Sequence, residues 1–221
     1  MIDIQNELKI HSGKCAVGFL AIGGVRHPAE DALAHEKIAV ASALREAYGS
    51  MTRSAMKELH PMNAYIEYYR KFGYSYHVLG QLESVLKGKP IPGTLPLVTA
   101  MFMAELKNMM LTAAHDLDKI EGSLQIAQAT GHETYETIGA HLAETVAGDV
   151  MVRDRRAILS SILRGPDRRT AITAETGRVL YVVYAPQGVM ESLVRRHLDD
   201  IERCVLLACE AAAVEGREVF L

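Results

Sequence analysis

Two adjacent side chains, His115 and Asp116, close an apolar run and offer good ligands for a divalent transition metal. Water bound to such a metal could attack a phosphate ester, as in metal-dependent phosphohydrolases whose apolar helix ends in this doublet. That chemistry takes its remaining His and Asp ligands from other helices, whereas the residues after His115 carry strand patterning. The pattern favours a polar helix-to-strand turn, with Asp116 accepting backbone N–H bonds. No bound metal is expected. The stretch Asp116-Leu117-Asp118-Lys119-Ile120-Glu121-Gly122 fails as a calcium loop, because Ile120 stands at the fifth position and the glycine falls one residue late. Gly18, Gly23 and Gly24 fit neither the dinucleotide fingerprint nor a phosphate loop, and no Gly-x-Ser-x-Gly elbow occurs. No cofactor is expected.

Basic and aromatic residues offer a different chemistry. Arg153, Arg155, Arg156, Arg164, Arg168 and Arg169 outnumber the neighbouring Asp154 and Asp167. Their guanidinium forks match phosphate geometry, and the same charges would equally guard a strand edge against pairing. Tyr65, Tyr68, Tyr69, Phe72, Tyr74 and Tyr76 accompany Arg70 and Lys71, a mixture able to stack bases. Tyr65, Tyr69 and Phe72 at helical spacing read more simply as core. His132 and Glu133 sit beside Gly131, where a hairpin turn with solvated polar groups is the plain expectation.

The elements that must position these groups follow from periodicity. Residues 14 to 25 read as a buried strand stopping at Gly23-Gly24. Pro28, Glu30 and Asp31 mark the start of a helix carrying Leu33, Val40, Ala41, Leu44 and Tyr48. A second helix opens at His60-Pro61 and ends at Gly73, and a short one spans roughly 79 to 87 before a Gly/Pro turn. Leu95 to Met110 reads as a buried, Met-rich helix. Strand spacing then dominates through Leu124, Ile126, Val150, Ile158 and Val179–Tyr184. A last helix runs from Met190 through Ala212 to a stop at Gly216. Helices first, strands second and a closing helix predict an α+β fold.

The chain has 221 residues, 49% of them hydrophobic, enough for a sizeable core without disulfides or metal. A net charge of −3 excludes a general nucleic-acid binder, so RNA contact requires a local patch and DNA is not an expected partner. Cys15, Cys204 and Cys209 form no Cys-x-x-Cys pair and are expected as reduced thiols. No basic leader precedes an apolar run, and no apolar stretch reaches the ~20 residues of a membrane span. A soluble, cytoplasmic protein without a membrane partner is the expectation.

Several segments, in order, resemble the tRNA-editing (B3/4) domain of the phenylalanyl-tRNA synthetase beta chain. Leu86–Pro92 is similar to the lead-in of a family helix, here beginning near Pro96. Asp116–Gly122 is similar to the family's Asp-x-Asp-x-Ile-x-Gly, and Gly131-His132-Glu133-Thr134 falls where the family has Gly-Glu-Thr. Gly148–Asp154 resembles the next strand and turn. Asp167–Thr170, Thr173 and Thr176 resemble the polar loop of free-standing members. The resemblance covers roughly residues 60 to 185 within a single domain spanning 1 to 221.

The resemblance implies β-sandwich-like sheets flanked by helices, with a long C-terminal helix. It also implies a partner, tRNA or aminoacyl-tRNA. The family domain hydrolyses tyrosine wrongly esterified to the phenylalanine tRNA. Free-standing members are associated with related quality control or with RNA binding alone. By that resemblance Asp167 would read the amino-acid side chain, Thr170 would position water, and Arg164, Arg168 and Arg169 would hold phosphates. His115 lies two positions after Ala113, the site of a family histidine, and is the remaining catalytic candidate. Thr99, Asp116, Glu133 and Thr176 are the other substrate-binding candidates. The family helix reads Val-Asp-x-x-Asn where this chain has Val98, Thr99 and Phe102. Ser160–Arg164 replaces a glycine-rich turn that admits the amino acid. The expected site is a cleft lined by the polar residues from 164 to 176. Non-catalytic binding of RNA or a small ligand by the same fold is the alternative.

Overall fold

A computed structural model describes residues 3–7, 15–26, 31–93 and 95–221. Strand β1 (Ile4–Asn6) precedes β2 (Cys15–Gly23), which is buried along its whole length. Its near-continuous apolar run is what burial on both faces requires. The strand ends at Gly24, whose φ of +71° suits glycine and whose Cα approaches the Ala211 carbonyl too closely for a Cβ. Helices α1 (Ala34–Tyr48), α2 (Arg53–Lys57), α3 (Met62–Lys71), α4 (His77–Leu86) and α5 (Pro96–Asn108) follow. The predicted start of α1 at Pro28 and Glu30 lies outside the described residues. Thr52 caps α2 by accepting from the Ala55 amide, and Pro96 occupies the first turn of α5.

The second half supplies β3 (Leu111–Asp116), β4 (Leu124–Gln128), β5 (Thr134–Glu136), β6 (Leu142–Glu144), β7 (Val150–Arg153), β8 (Ile158–Ser161), β9 (Gly165–Pro166) and β10 (Arg178–Pro186). Helix α6 (Glu191–Ala208) and strand β11 (Ala213–Phe220) complete the order. One sheet runs β1-β4-β7-β8-β9, a second runs β11-β2-β10-β3, and β5 and β6 form a separate hairpin. The β1–β4 pair is parallel and the others are antiparallel. The architecture is α+β, with sheets flanked by helices and a long helix near the C-terminus. No helix among the described residues is long and apolar enough to cross a membrane.

Helix α6 covers the second sheet with Val194, Leu198, Ile201 and Val205, all fully buried. Each contributes roughly 1.5–3 kcal/mol by leaving water. The approach is close: a Cβ on Gly18 would stand 2.7 Å from Val194 Cγ1.

Two boundaries differ from the sequence expectation. His115 and Asp116 lie inside β3, paired with Leu180 and Val179, and not in a turn after a helix. Burial on both faces removes the alternation that would have marked β3 as a strand. The last helix stops at Ala208, and Gly216 lies within β11. There the open edge of β2 captures the chain from Ala213 to Phe220, with an irregularity between Val214 and Gly216.

Candidate functional site

Where β3 and β10 meet the β8–β9 corner, the protein forms an open-mouthed cavity of about 440 Å³. Helix α5 presents Val98, Met101, Phe102 and Glu105 to it, spaced three and four residues apart and so on one helical face. Leu111 to Ala114 of β3 and Tyr184 of β10 add a second wall, and Ser161 to Pro166 a third. Tyr69 of α3 lines it too. Ile138, in the β5–β6 turn, is 60% exposed and stands at the rim, its amide donating to the Pro166 carbonyl at 3.2 Å.

Asp149 fixes the third wall. Its fully buried carboxylate accepts from Tyr68 Oη at 2.8 Å, the Val150 amide at 2.9 Å and the Leu163 amide at 3.0 Å. Burial still raises its pKa, against the lowering effect of those bonds. Tyr69 Oη donates to the Ile162 carbonyl at 2.7 Å, so two α3 phenols hold the corner.

Most of the lining is apolar, which makes its polar groups informative. Glu105 is 2% exposed, and Oε1 accepts from the Thr112 amide at 2.7 Å. Burial raises its pKa from 4.5 to about 8, only partly offset by that bond. At neutral pH it is mainly a neutral acid. Arg164 sits half-buried on another wall, its guanidinium 5.2 Å from the Tyr74 ring centroid and its Nε donating to the Glu144 carbonyl. Among the described residues it has no carboxylate partner.

Of the residues singled out from the sequence, Arg164 lines the cavity. From the stretch 164 to 176, Gly165, Pro166 and Ile172 join it. Asp167, Thr170 and His115 are 3%, 0% and 0% exposed and bond to one another. The Thr170 hydroxyl donates to Asp167 and accepts from His115 Nδ1 at 2.7 Å, and Ser160 Oγ meets His115 Nε2 at 3.1 Å. The order Ser160–His115–Asp167 is that of a nucleophile, base and orienting acid. Here Thr170 intervenes, and Ser160 Oγ is bonded to Tyr184 Oη at 2.7 Å with no exposure. Both His115 nitrogens are engaged, and among the described residues no three His, Cys, Asp or Glu side chains gather as metal ligands. Among the described residues the donor set therefore does not fit the phosphohydrolase alternative.

The other candidates hold loops. Asp116 accepts from the Asp118 amide and from Thr176 Oγ1 at 3.0 Å, beside Lys119 Nζ at 3.2 Å. Thr176 in turn accepts from the Thr173 amide. Burial works to raise the pKa of Glu133, but Thr145 Oγ1 and the Thr130 amide bring it down to about 2. Thr99 is buried on α5 beside the lining residue Val98. Arg168 pairs with Glu136 at 2.8 Å on the surface, and Arg169 with Asp154 at 2.8 Å, while Arg156 pairs with Glu121. The arginine group is thus largely neutralised in place. The sequence reading missed Glu105, although a lone acid in a mainly apolar helix was a usable signal.

No family model matches the chain, and no curated protein matches its sequence. Among solved structures it is similar to an N-terminal fragment of the phenylalanyl-tRNA synthetase beta-subunit from Pyrococcus horikoshii. The TM-score is 0.46 at 12% identity, over 57% of this chain and 46% of that one. The matched region thus spans less than half of that fragment.

Proposed function

We propose that the cavity receives the aminoacyl end of a tRNA and that the protein is a trans-acting aminoacyl-ester hydrolase. The observation carrying this reading is the cavity itself: about 440 Å³, mainly apolar, with Glu105 on one wall and, on another, Arg164, which has no carboxylate partner among the described residues. Such a volume suits a compact apolar side chain with its ester, and Arg164 suits a phosphate outside it. An aminoacyl ester is already activated, so hydrolysis needs only a positioned water and donors to the developing oxyanion. Ser75 and the Arg164 guanidinium are donors on the lining, and a terminal ribose hydroxyl of the tRNA can handle the remaining proton.

A panel of mischarged tRNAs tests it. Release of amino acid above the uncatalysed rate, weakened by Arg164→Ala, is the expected result. No release from any member overturns the hydrolase reading. A second reading, non-catalytic binding of RNA or a small ligand, is favoured by the sealing of His115, Thr170 and Asp167 into a buried network. It predicts retention of aminoacyl-tRNA or a small ligand without turnover, salt-sensitive where RNA is held.

A further inference from the structure

We infer that Glu105 selects the ligand of the cavity, and that it selects a protonated amine carried on an apolar body. The inference rests on the cavity being a ligand site, not on that ligand being attached to tRNA. Glu105 lies in the third turn of α5 among residues that are almost all apolar, and its carboxyl is 2% exposed. Oε1 is held by the Thr112 amide. Among the described residues Oε2 has no hydrogen-bond donor, and no lysine, arginine or histidine pairs with the group. A buried carboxyl without a counter-ion is costly when charged. An amide would serve the Thr112 bond equally well, so the acid adds one capacity: it can ionise to meet a cation that arrives with the ligand.

The surrounding titratable groups do not supply that cation. The phenols of Tyr65, Tyr69 and Tyr76 are pushed above their usual range by burial. His197, which contacts Thr112 Oγ1 at 2.7 Å, is pushed by burial down to about 3 and is neutral. His77 and Arg164 line the cavity elsewhere. The two strongly ionisable groups on the lining are therefore an acid and a cation, each without an ionic partner among the described residues. A ligand with an ammonium at Glu105 and an anionic group toward Arg164 satisfies both, and an amino acid esterified to a phosphodiester chain has that charge pattern.

Ammonium binding shifts Glu105 from acid to carboxylate, so it must expel a proton near neutral pH. A hydroxyl ligand has no such requirement. Calorimetry of the intact protein with phenethylamine and with 2-phenylethanol, in buffers of different ionisation enthalpy at neutral pH, separates these cases. The expected result is tighter binding of the amine, by roughly tenfold or more, with nearly one proton released per ligand. Glu105→Gln, which preserves the Thr112 bond, should remove both the preference and the proton release. Equal affinity for alcohol and amine, amine binding without proton release, or binding of neither probe overturns the inference. The wild-type proton count needs no variant, so a poorly folding substitution does not blunt the test. If amine selectivity holds while the tRNA panel is neither bound nor hydrolysed, the tRNA reading fails and this one stands.

Discussion

Replacing Glu105 by glutamine is expected to make the protein less sensitive to alkali in its ligand-free state. The native carboxyl is raised to about 8 from 4.5, because burial beside Met101, Leu111 and Ala113 penalises the charge more than the Thr112 amide relieves it. A carboxyl that binds its proton more tightly when folded contributes stability that is complete below the unfolded value. That contribution is lost as pH rises through the folded one. Each tenfold difference in proton affinity between the folded and unfolded chains is worth about 1.4 kcal/mol. Integrating the linkage between about pH 5.5 and about pH 8.5 gives a loss of roughly 3 kcal/mol from this group alone. Glutamine keeps an acceptor for Thr112 and cannot ionise, so the variant should show no such loss. Urea denaturation of both proteins at the two pH values reads the difference directly. Other titrating groups change both proteins alike and cancel. Parallel stability profiles for wild type and Glu105→Gln would refute the claim that this carboxyl is neutral in the fold.

The acid side should be governed in part by His197. Burial lowers it from 6.5 to about 3, so its contribution is complete above 6.5 and declines as pH falls toward 3. At about pH 4.5 the wild type should have lost roughly 2.5 kcal/mol relative to His197→Gln, read as a change in the difference between their urea midpoints from neutral pH. Asp167→Ala removes the acceptor for Thr170 and the carboxylate 3.6 Å from Arg169. It should cost about 2–4 kcal/mol, while Arg168→Ala, which breaks a pair exposed on both sides, should change stability by less than about 0.5 kcal/mol; equal midpoints for the two would sink the network reading. Tyr68→Phe deprives buried Asp149 of one donor and should cost about 1–3 kcal/mol, with faster hydrogen exchange at the Leu163 amide. Unchanged exchange there would mean that Asp149 does not hold the cavity wall.

Periodicity and punctuation made much of the fold legible. The apolar run of β2, the helix opened by His60-Pro61, the Met-rich α5 after Leu95 and the face Val194–Leu198–Ile201–Val205 of α6 all stand as read. Local pattern failed where a strand is buried on both faces, as in β3. It also failed where the segment after the last helix is captured by a distant edge, as in β11 on β2. The site was harder to see for a related reason. Its walls come from residues as far apart as Tyr69 and Tyr184, and no local motif encodes that meeting.

Sequence by itself determined which segments carry an apolar face, and hence the α+β class, because burial demands a matching period from each element. It also set the inventory of ionisable groups. Tertiary structure alone decided their roles. It brought Glu136 to Arg168 and Glu121 to Arg156 from other parts of the chain, offsetting a charge excess visible in the chain. It enclosed Asp167, Thr170 and His115 among hydroxyls, and left Glu105 and Arg164 facing a cavity without ionic partners among the described residues. Charge interactions act over a few ångströms of space regardless of separation along the chain, so a side chain's partner is fixed only when the whole backbone closes around it.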